Sequence, residues 1–367
     1  MSGEALVIGG GPAGASVATL LARQGREVVL AEARTGEHDK VCGEFLSAEA
    51  VGYLSRLGIV PAALGAASIC GVRLARRKCI AECELPFPAI SLTRRKLDEA
   101  LLTLAAAEGV DVRRGARVDD LHCEATGWCA QMAGGEALRA KAVFLATGKH
   151  DLGGWRRPPG RQNDLVAFKM YFSLASAQTR ALSGWIELCL FPHGYAGLQL
   201  TEDGNANLCL LVNRQTLKSC DGNWPNLLAH ILSFSDHLAL RLQGAKAQLE
   251  RPLALSSIPY GMLLRDADAG LWRLGDQAAV IPSFTGDGIS IALHSAEIGA
   301  DLYLNGRSPA EHAARMHRQL RRSVALATGV SKLMIGASAL APLLRVCPPL
   351  LAVLAEQTRV PQAALVS

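Results

Sequence analysis

Three side chains in this sequence combine a reactive atom with a setting that core packing does not explain. Cys42 stands in "DKVCGEFL", between Lys40 and the pair Gly43-Glu44. Glu44 follows it by two positions, and His193 lies in "FPHGYAG", two positions before Tyr195. A thiol, a carboxyl and an imidazole can each hold a proton or deliver one to an atom undergoing reduction, directly or through a water. The chain has ten cysteines, so a buried structural thiol is the competing reading of Cys42, and a surface turn that of His193.

A stronger pattern precedes them. Gly9, Gly11 and Gly14 form G-x-G-x-x-G in "GGGPAG", with Pro12 and Ala13 inside it. It follows the apolar "ALVIGG" and opens the helical "GPAGASVATLLARQG", and "EVVLAEA" supplies a second strand. In a β-α-β unit such glycines permit the tight turn, let backbone approach a pyrophosphate and let the helix close on the sheet. The helix N-terminus then offers N–H groups to the phosphates. Glu32 ends the second strand, 23 residues after Gly9, where an acid accepts hydrogen bonds from adenosine ribose hydroxyls; Arg34 lies just beyond. The acid repels a 2′-phosphate, which leaves FAD or NAD rather than NADP for this site.

A second pattern lies late, in "LWRLGDQAAVIPSFTGDGISIALH". Gly275-Asp276 closes a strand, Pro282 follows, and Gly286, Gly288 and Ile289 open a helix. The aspartate suits a ribityl hydroxyl. A helix N-terminus beside the pyrimidine edge of a flavin would stabilise negative charge there.

These residues need a scaffold. "SAEAVGYLSRLG" reads as a helix capped by Ser47, and "TRRKLDEALLTLAAAEG" as a helix stopped by Gly109. "GVRLARRKCIAECEL", "VDVRRGARV" and "RAKAVFLATG" read as strands. From about residue 165, "VAFKMYFSL", "GWIELCLFPHGYAGLQL" and "NANLCLLVN" predict an antiparallel sheet, and "SPAEHAARMHRQLRRSVALATGV" predicts a helix with Ser308 as cap and Pro309 at its first position. Half of the 367 residues are apolar and the net charge is only +5, in no single block. That excludes a disordered chain and a nucleic-acid stripe. No Cys-x-x-Cys pair or Cys/His spacing reads as a metal site. The start carries no signal-peptide pattern and no run is long enough to span a bilayer, so a cytoplasmic protein with reduced thiols is expected. "LMIGASALAPLLRVCPPLLAVLAEQ" near the end has three readings: a core helix, a cap on an apolar tunnel, or a peripheral membrane contact.

Together the two glycine patterns resemble the FAD-dependent oxidoreductase superfamily of para-hydroxybenzoate hydroxylase-type monooxygenases and geranylgeranyl reductases. "SLTRRKLDEAL" matches the helix whose first arginine, here Arg94, reaches the FAD phosphates, and "VFLATG", with Gly148, matches the strand closing the FAD lobe. "KVCG", including Cys42 and Gly43, is similar to the K-x-C-G loop of the geranylgeranyl reductase-like branch, which lies near the flavin ring. The sequence departs from the pattern at Glu44, at Gln277 and at Asp287. The resemblance implies an α/β FAD-binding Rossmann-like domain of glutathione reductase type, with an inserted antiparallel β-sheet substrate domain and a helical C-terminus. The FAD domain is expected over 1–75, 92–160 and 265–305, the substrate domain over 76–91 and 161–264, and the helical segment over 306–367.

It also implies an enzyme that reduces an alkene in an apolar, prenyl-, lipid- or polyketide-like small molecule by flavin hydride. The alternatives are an aromatic hydroxylase working with NAD(P)H and O2 through a C4a-hydroperoxide, and a non-catalytic flavin redox sensor. With only one nucleotide fingerprint, NAD(P)H is expected as a transient reductant, or an electron-donor protein takes its place.

Overall fold

The computed structural model describes residues 2–267, 270–336, 357 and 359. The chain begins with β1 (Ser2–Ile8), α1 (Pro12–Ala22) and β2 (Val28–Glu32), in which β1 and β2 pair in parallel. Then come β3 (Phe45–Leu46), α2 (Ala48–Leu57), β4 (Ala67–Arg76), β5 (Cys79–Ser91) and α3 (Arg94–Ala107). The strands β6 (Asp111–Arg114), β7 (Val118–Glu124), β8 (Gly127–Met132) and β9 (Ala137–Leu145) complete the first stretch. Among the described residues these build a sheet in the order β6-β2-β1-β9-β8-β7. The central β1 runs parallel to both β2 and β9, and its Ala5 and Val7 are fully buried, as an apolar run covered on two faces requires.

The second stretch holds β10 (Leu165–Ser173), α4 (Ser176–Leu182), β11 (Gly184–Phe191), β12 (Gly194–Leu200) and β13 (Ala206–Asn213). It continues through α5 (Arg214–Ser219), α6 (Trp224–Phe234), α7 (Asp236–Arg241), β14 (Lys246–Ala247) and β15 (Leu253–Ser256). Here the expected antiparallel lobe forms: β10, β13, β12 and β11 are successive antiparallel neighbours. One boundary is corrected. The second sheet runs β14-β10-β13-β12-β11-β4-β5-β3, so β4 belongs to it from Ala67 rather than from residue 76. Its link is parallel, with Ile186 opposite Val72 and Leu188 opposite Leu74, and β3 joins through Phe45 opposite Ser91. The alternation of "ASICGVRLAR" marks a strand without saying which sheet takes it.

The chain returns through β16 (Met262–Leu263) to the first sheet with β17 (Leu271–Arg273), which pairs with β9, then β18 (Ala279–Val280), α8 (Gly288–Leu304) and α9 (Pro309–Gly336). The Ser308 and Glu311 capping box holds the start of α9, with Ser308 N donating to Glu311 Oε2 at 2.8 Å. Near its end α9 lays Met334 and Ile335 against Tyr195, Leu211 and Tyr260 of the second lobe. The apolar segment over 337–356 lies outside the described residues. No helix among the described residues is long and apolar enough to cross a membrane.

Candidate functional site

A single cavity of about 1120 Å³ starts at the glycine turn after β1 and runs between the lobes to the inner face of the second sheet. Of the residues assigned above to cofactor binding, all but Gly14 and Pro282 line it. Gly14 works from behind the wall: a Cβ there would lie 1.8 Å from Gly9 O, so only glycine lets α1 sit this close to the strand end. Side chains cap α2, α3, α5, α6 and α7. The two long helices aimed at the cavity, α1 and α8, have no side-chain cap, which leaves N–H groups for a ligand. Added Cβ atoms at Gly43, Gly148 and Gly288 would meet nothing within 4 Å, so these positions form an open cradle.

Charge is placed to match. Arg94 grips Asp98 through two hydrogen bonds of 2.8 Å, and Lys40 pairs with the same carboxylate at 2.9 Å. Burial opposes the charge on Asp98, but the two cations outweigh it and hold its carboxyl below the usual range. One carboxylate against two cations leaves a positive excess beside Gly11, whose added Cβ would meet Arg94 Nη2 at 3.4 Å and Lys40 Nζ at 4.0 Å. Arg95 is exposed and off the cavity, and pairs with Asp39 at its rim. At the adenosine end, Glu32 is almost fully buried and accepts from Gly10 N at 2.7 Å and Arg34 N at 2.9 Å, which fixes the turn. Buried uncapped helix ends, glycine surfaces and a phosphate-sized positive corner fit FAD. Arg94 and Lys40 would hold its phosphates, Glu32 its ribose, and the N-terminus of α8 its ring.

The departure at Gln277 has a structural reason. Its Nε2 donates to Gly148 O at 2.9 Å and His150 O at 3.0 Å, and its Oε1 accepts from Arg273 Nη1 at 3.1 Å. Arg157 adds bonds to Lys149 O and Asp276 O, so the Gly148 and Asp276 turns are stitched together.

Glu44, a candidate proton source, lines the cavity and is held there by partners from the second lobe. It is wholly buried in left-handed backbone, φ 62°, and pairs with fully buried Lys169 at 2.5 Å. Tyr171 Oη donates to both its oxygens at 2.8 and 2.9 Å, Asn207 Nδ2 to Oε2 at 2.9 Å and Arg94 N to Oε1 at 2.8 Å. Burial pushes its carboxyl above the usual range against the pull of Lys169. A carboxylate so fully engaged ties the Cys42–Glu44 loop to β10 and β13. Cys42 stays at the cavity wall, half-buried, its Sγ accepting from Glu44 N at 3.3 Å. His193 is corrected outright: it is exposed in the turn between β11 and β12 and does not line the cavity. Pro192 before it and φ 63° at His193 suit a type II turn, which turns the ring away.

The sequence reading missed several wall residues. Lys149 lines the cavity and donates to Val41 O at 3.2 Å; burial disfavours its charge, but the field of Tyr260 and Asp276 keeps the ammonium above its ordinary value. Gln199 and Asn207 also line it, and so does Tyr195, which the sequence had placed beside His193 as able to face a substrate. Lys169, which holds Glu44 from behind the wall, had a readable signal as a charge inside the apolar run "VAFKMYF". The rest of the second sheet lines the cavity with apolar side chains, Val72, Leu74, Phe87, Ile186 and Leu188, and Met334 of α9 joins them. No metal site was expected. Among the described residues one trio, His122, Glu124 and Cys129, has ligand-like spacing, away from the cavity, and Arg139 already pairs with Glu124 at 3.1 Å.

The other departure, Asp287, predicts a pH effect. It is fully buried at the start of α8 and neither carboxyl oxygen has a hydrogen-bond partner among the described residues; Ser290 Oγ is turned to Ser47 at 2.8 Å. Burial, opposed by Arg359 and aided by Glu49, pushes its carboxyl up to about 8 from 3.8. A raised folded value means that its stabilising contribution is complete below about 3.8 and lost as pH rises through about 8. Asp287→Asn is therefore expected to stabilise the protein on the order of 2–4 kcal/mol at pH 7 and by almost nothing at pH 4. Thermal melts at both pH values check this, and an equal gain at each would refute it.

Residues 3–146 match the FAD binding domain family. The chain is similar to the menaquinone reductase of Mycolicibacterium smegmatis, 25% identical over 322 residues, which cover 83% of this chain and 76% of that protein. Among solved structures it is similar to the myxobacterial chondrochloren halogenase CndH, with a TM-score of 0.79 at 18% identity, covering 97% of this chain and 90% of that one. It is also similar to a geranylgeranyl bacteriochlorophyll reductase-like protein from Thermoplasma acidophilum, with a TM-score of 0.77 at 20% identity, covering 100% and 95%. The chain has the fold of these flavoproteins and is an FAD-dependent oxidoreductase.

Proposed function

We propose that this protein is a reductase that saturates a carbon–carbon double bond in a long apolar substrate, a prenylated quinone being the substrate class favoured. The observation that carries the reading is the apolar lining of the cavity beyond the cofactor cradle. The cavity leaves the cradle and continues as an apolar arm along β4, β5 and β11, under Val330 and Met334 of α9. An arm with this lining suits a lipid-like chain better than a small polar acid. The similarity to a menaquinone reductase supports the same substrate class.

Reduced FAD, when bound, supplies a hydride. The rest of the chemistry falls to the chain. The alkene π bond opens as one carbon gains the hydride, and the other carbon takes a proton from the Cys42 thiol or from a water beside it. The Cys42–Glu44 loop is held rigid from the second lobe, so its thiol has a fixed position. The apolar arm excludes bulk water from the reacting carbons. NAD(P)H, visiting transiently, or a donor protein returns electrons to the flavin.

The test is anaerobic. Protein reduced with dithionite is mixed with a prenylated naphthoquinone, and the product is analysed after exposure to air. Air restores the quinone head, so a product that remains heavier by one H2 has lost an alkene. Unchanged substrate after full flavin reoxidation would overturn the reading. Oxygen uptake coupled to hydroxylation of a phenol would replace it with the monooxygenase reading. In the same assay Cys42→Ser is expected to keep its flavin and lose roughly 10²-fold in product formation if the thiol is the acid. An unchanged rate assigns the proton to water.

A further inference from the structure

The wall of the chamber contains two buried amide oxygens with nothing to bind. Gln199 and Asn207 are cross-strand neighbours on β12 and β13, 2% and 1% exposed, and both line the cavity. Directly opposite residues of an antiparallel pair bring their Cβ atoms to within about 5.5 Å, so one small group can touch both. Gln199 Oε1 and Asn207 Oδ1 have no hydrogen-bond partner among the described residues.

The orientation of Asn207 is fixed. Its Nδ2 faces three acceptors, Cys42 O at 3.1 Å, Gly43 O at 3.1 Å and Glu44 Oε2 at 2.9 Å. Exchanging its nitrogen and oxygen would set an oxygen against all three. Gln199 is freer: its Nε2 lies 2.7 Å from Ser91 Oγ, and a hydroxyl can donate as well as accept. A half-turn of the Gln199 amide would therefore keep the serine bond and present N–H to the cavity. Gly197, next along the same face, leaves room beside the pair, since an added Cβ there would only touch Leu188 Cδ2 and Cys209 O at 3.7 Å.

We propose that Gln199 and Asn207 form a recognition site for a free hydroxyl of the substrate, so that the enzyme takes the phenol or quinol form of its lipid in preference to a form bearing only carbonyl or ether oxygens. A hydroxyl donates to Asn207 Oδ1 and accepts from the turned Gln199 amide. A carbonyl or ether oxygen has no proton for Asn207 and leaves its oxygen buried and unpaired. An anionic group would meet the Glu44 carboxylate, which shares the Asn207 amide. The proposal rests on the apolar arm being the substrate chamber and deepens that reading.

The experiment compares 4-farnesylphenol with its methyl ether, which differ only in the hydroxyl proton and a methyl group and undergo no redox step. Dissociation constants are measured by calorimetry on the FAD-loaded protein. Wild type is expected to bind the phenol about 10-fold more tightly. Asn207→Ala, which removes the acceptor, is expected to bring the two within about 3-fold, while Gln199→Met, which removes only a donor that either oxygen accepts from, weakens both and retains the preference. Flavin released on dialysis is followed in each variant and is expected to stay at the wild-type level. Equal binding of both probes by wild type overturns the hydroxyl site and leaves the chamber reading intact. Failure of both to bind, together with absent alkene reduction, removes the chamber reading and this proposal with it. Flavin loss from Gln199→Met assigns the pair to the cofactor and overturns the proposal. If Asn207→Ala does not fold, the wild-type preference and its retention in Gln199→Met decide.

Discussion

Gly14→Ala is expected to purify almost colourless. The new Cβ would sit 1.8 Å from Gly9 O and 3.2 Å from Ala146 Cβ, and backbone cannot yield as a flexible side chain does. α1 must therefore back away from β1 by roughly an ångström, as overpacking of a rigid contact demands. That shift moves the uncapped N–H groups of Gly11 and its neighbours away from the phosphates they should meet. We expect FAD affinity to fall roughly 100-fold or more, about 2.7 kcal/mol, and native stability to fall by about 1–3 kcal/mol. Flavin absorbance per mole of purified protein, with FAD titration of the apoprotein, gives the first figure. A thermal melt gives the second. A variant with full flavin occupancy would show that the close approach of helix and strand does not set the cofactor site.

The second large effect concerns Lys169→Met. Lys169 is fully buried in the middle of β10, where Cys209 and Leu253 are its strand neighbours, and among the described residues Glu44 is the only carboxylate paired with it. Removing one partner of a buried ion pair strands the other, at a cost of about 3–5 kcal/mol. The melting temperature should drop by roughly 10 °C, taking about 2–4 °C per kcal/mol for a chain of this class. The sign of the pH dependence follows from Glu44. Burial already raises its carboxyl above 4.5, and losing Lys169 raises it further. A raised folded value stabilises below the ordinary value and is lost as pH rises, so the deficit of the variant should be small near pH 4 and grow toward pH 8. Glu44→Gln in the same background should recover part of the loss at pH 8, because an uncharged amide replaces the stranded carboxylate. A pH-independent deficit, or no gain from the second change, would refute this account.

Much of the cofactor half was legible because its rules are local. Gly9, Gly11, Gly14 and Glu32 lie within one β-α-β unit, and Gly275 through Gly288 within one strand–turn–helix, so spacing alone brings each group together. The substrate half failed where long-range partners decide the outcome. Glu44 looked like an acid beside a thiol; its partners Lys169, Tyr171 and Asn207 come from another lobe, at separations no periodicity reports. His193 was judged by residue type, whereas the hairpin between Phe191 and Gly194 decides its direction. Strand β4 was recognised as a strand and assigned to the wrong sheet, since alternation fixes which face is buried but not the neighbour.

The parallel seam between β4 and β11 carries a further consequence, for the autonomy of the lobes. The sheet that would cradle the substrate draws β3, β4 and β5 from before α3 and its other strands from after β9. Cut out by itself, the stretch 161–264 would keep β10 to β15 but bare one edge of β11 from Gly184 to Cys189, with apolar Ile186 and Leu188 along it. Such an edge invites a neighbouring chain to complete it. The chamber is therefore not a module that could be lost, borrowed or exchanged between proteins in one contiguous piece. Any recombination that moves it must carry residues 45–91 as well, which lie between the glycine turn after β1 and Arg94 at the start of α3.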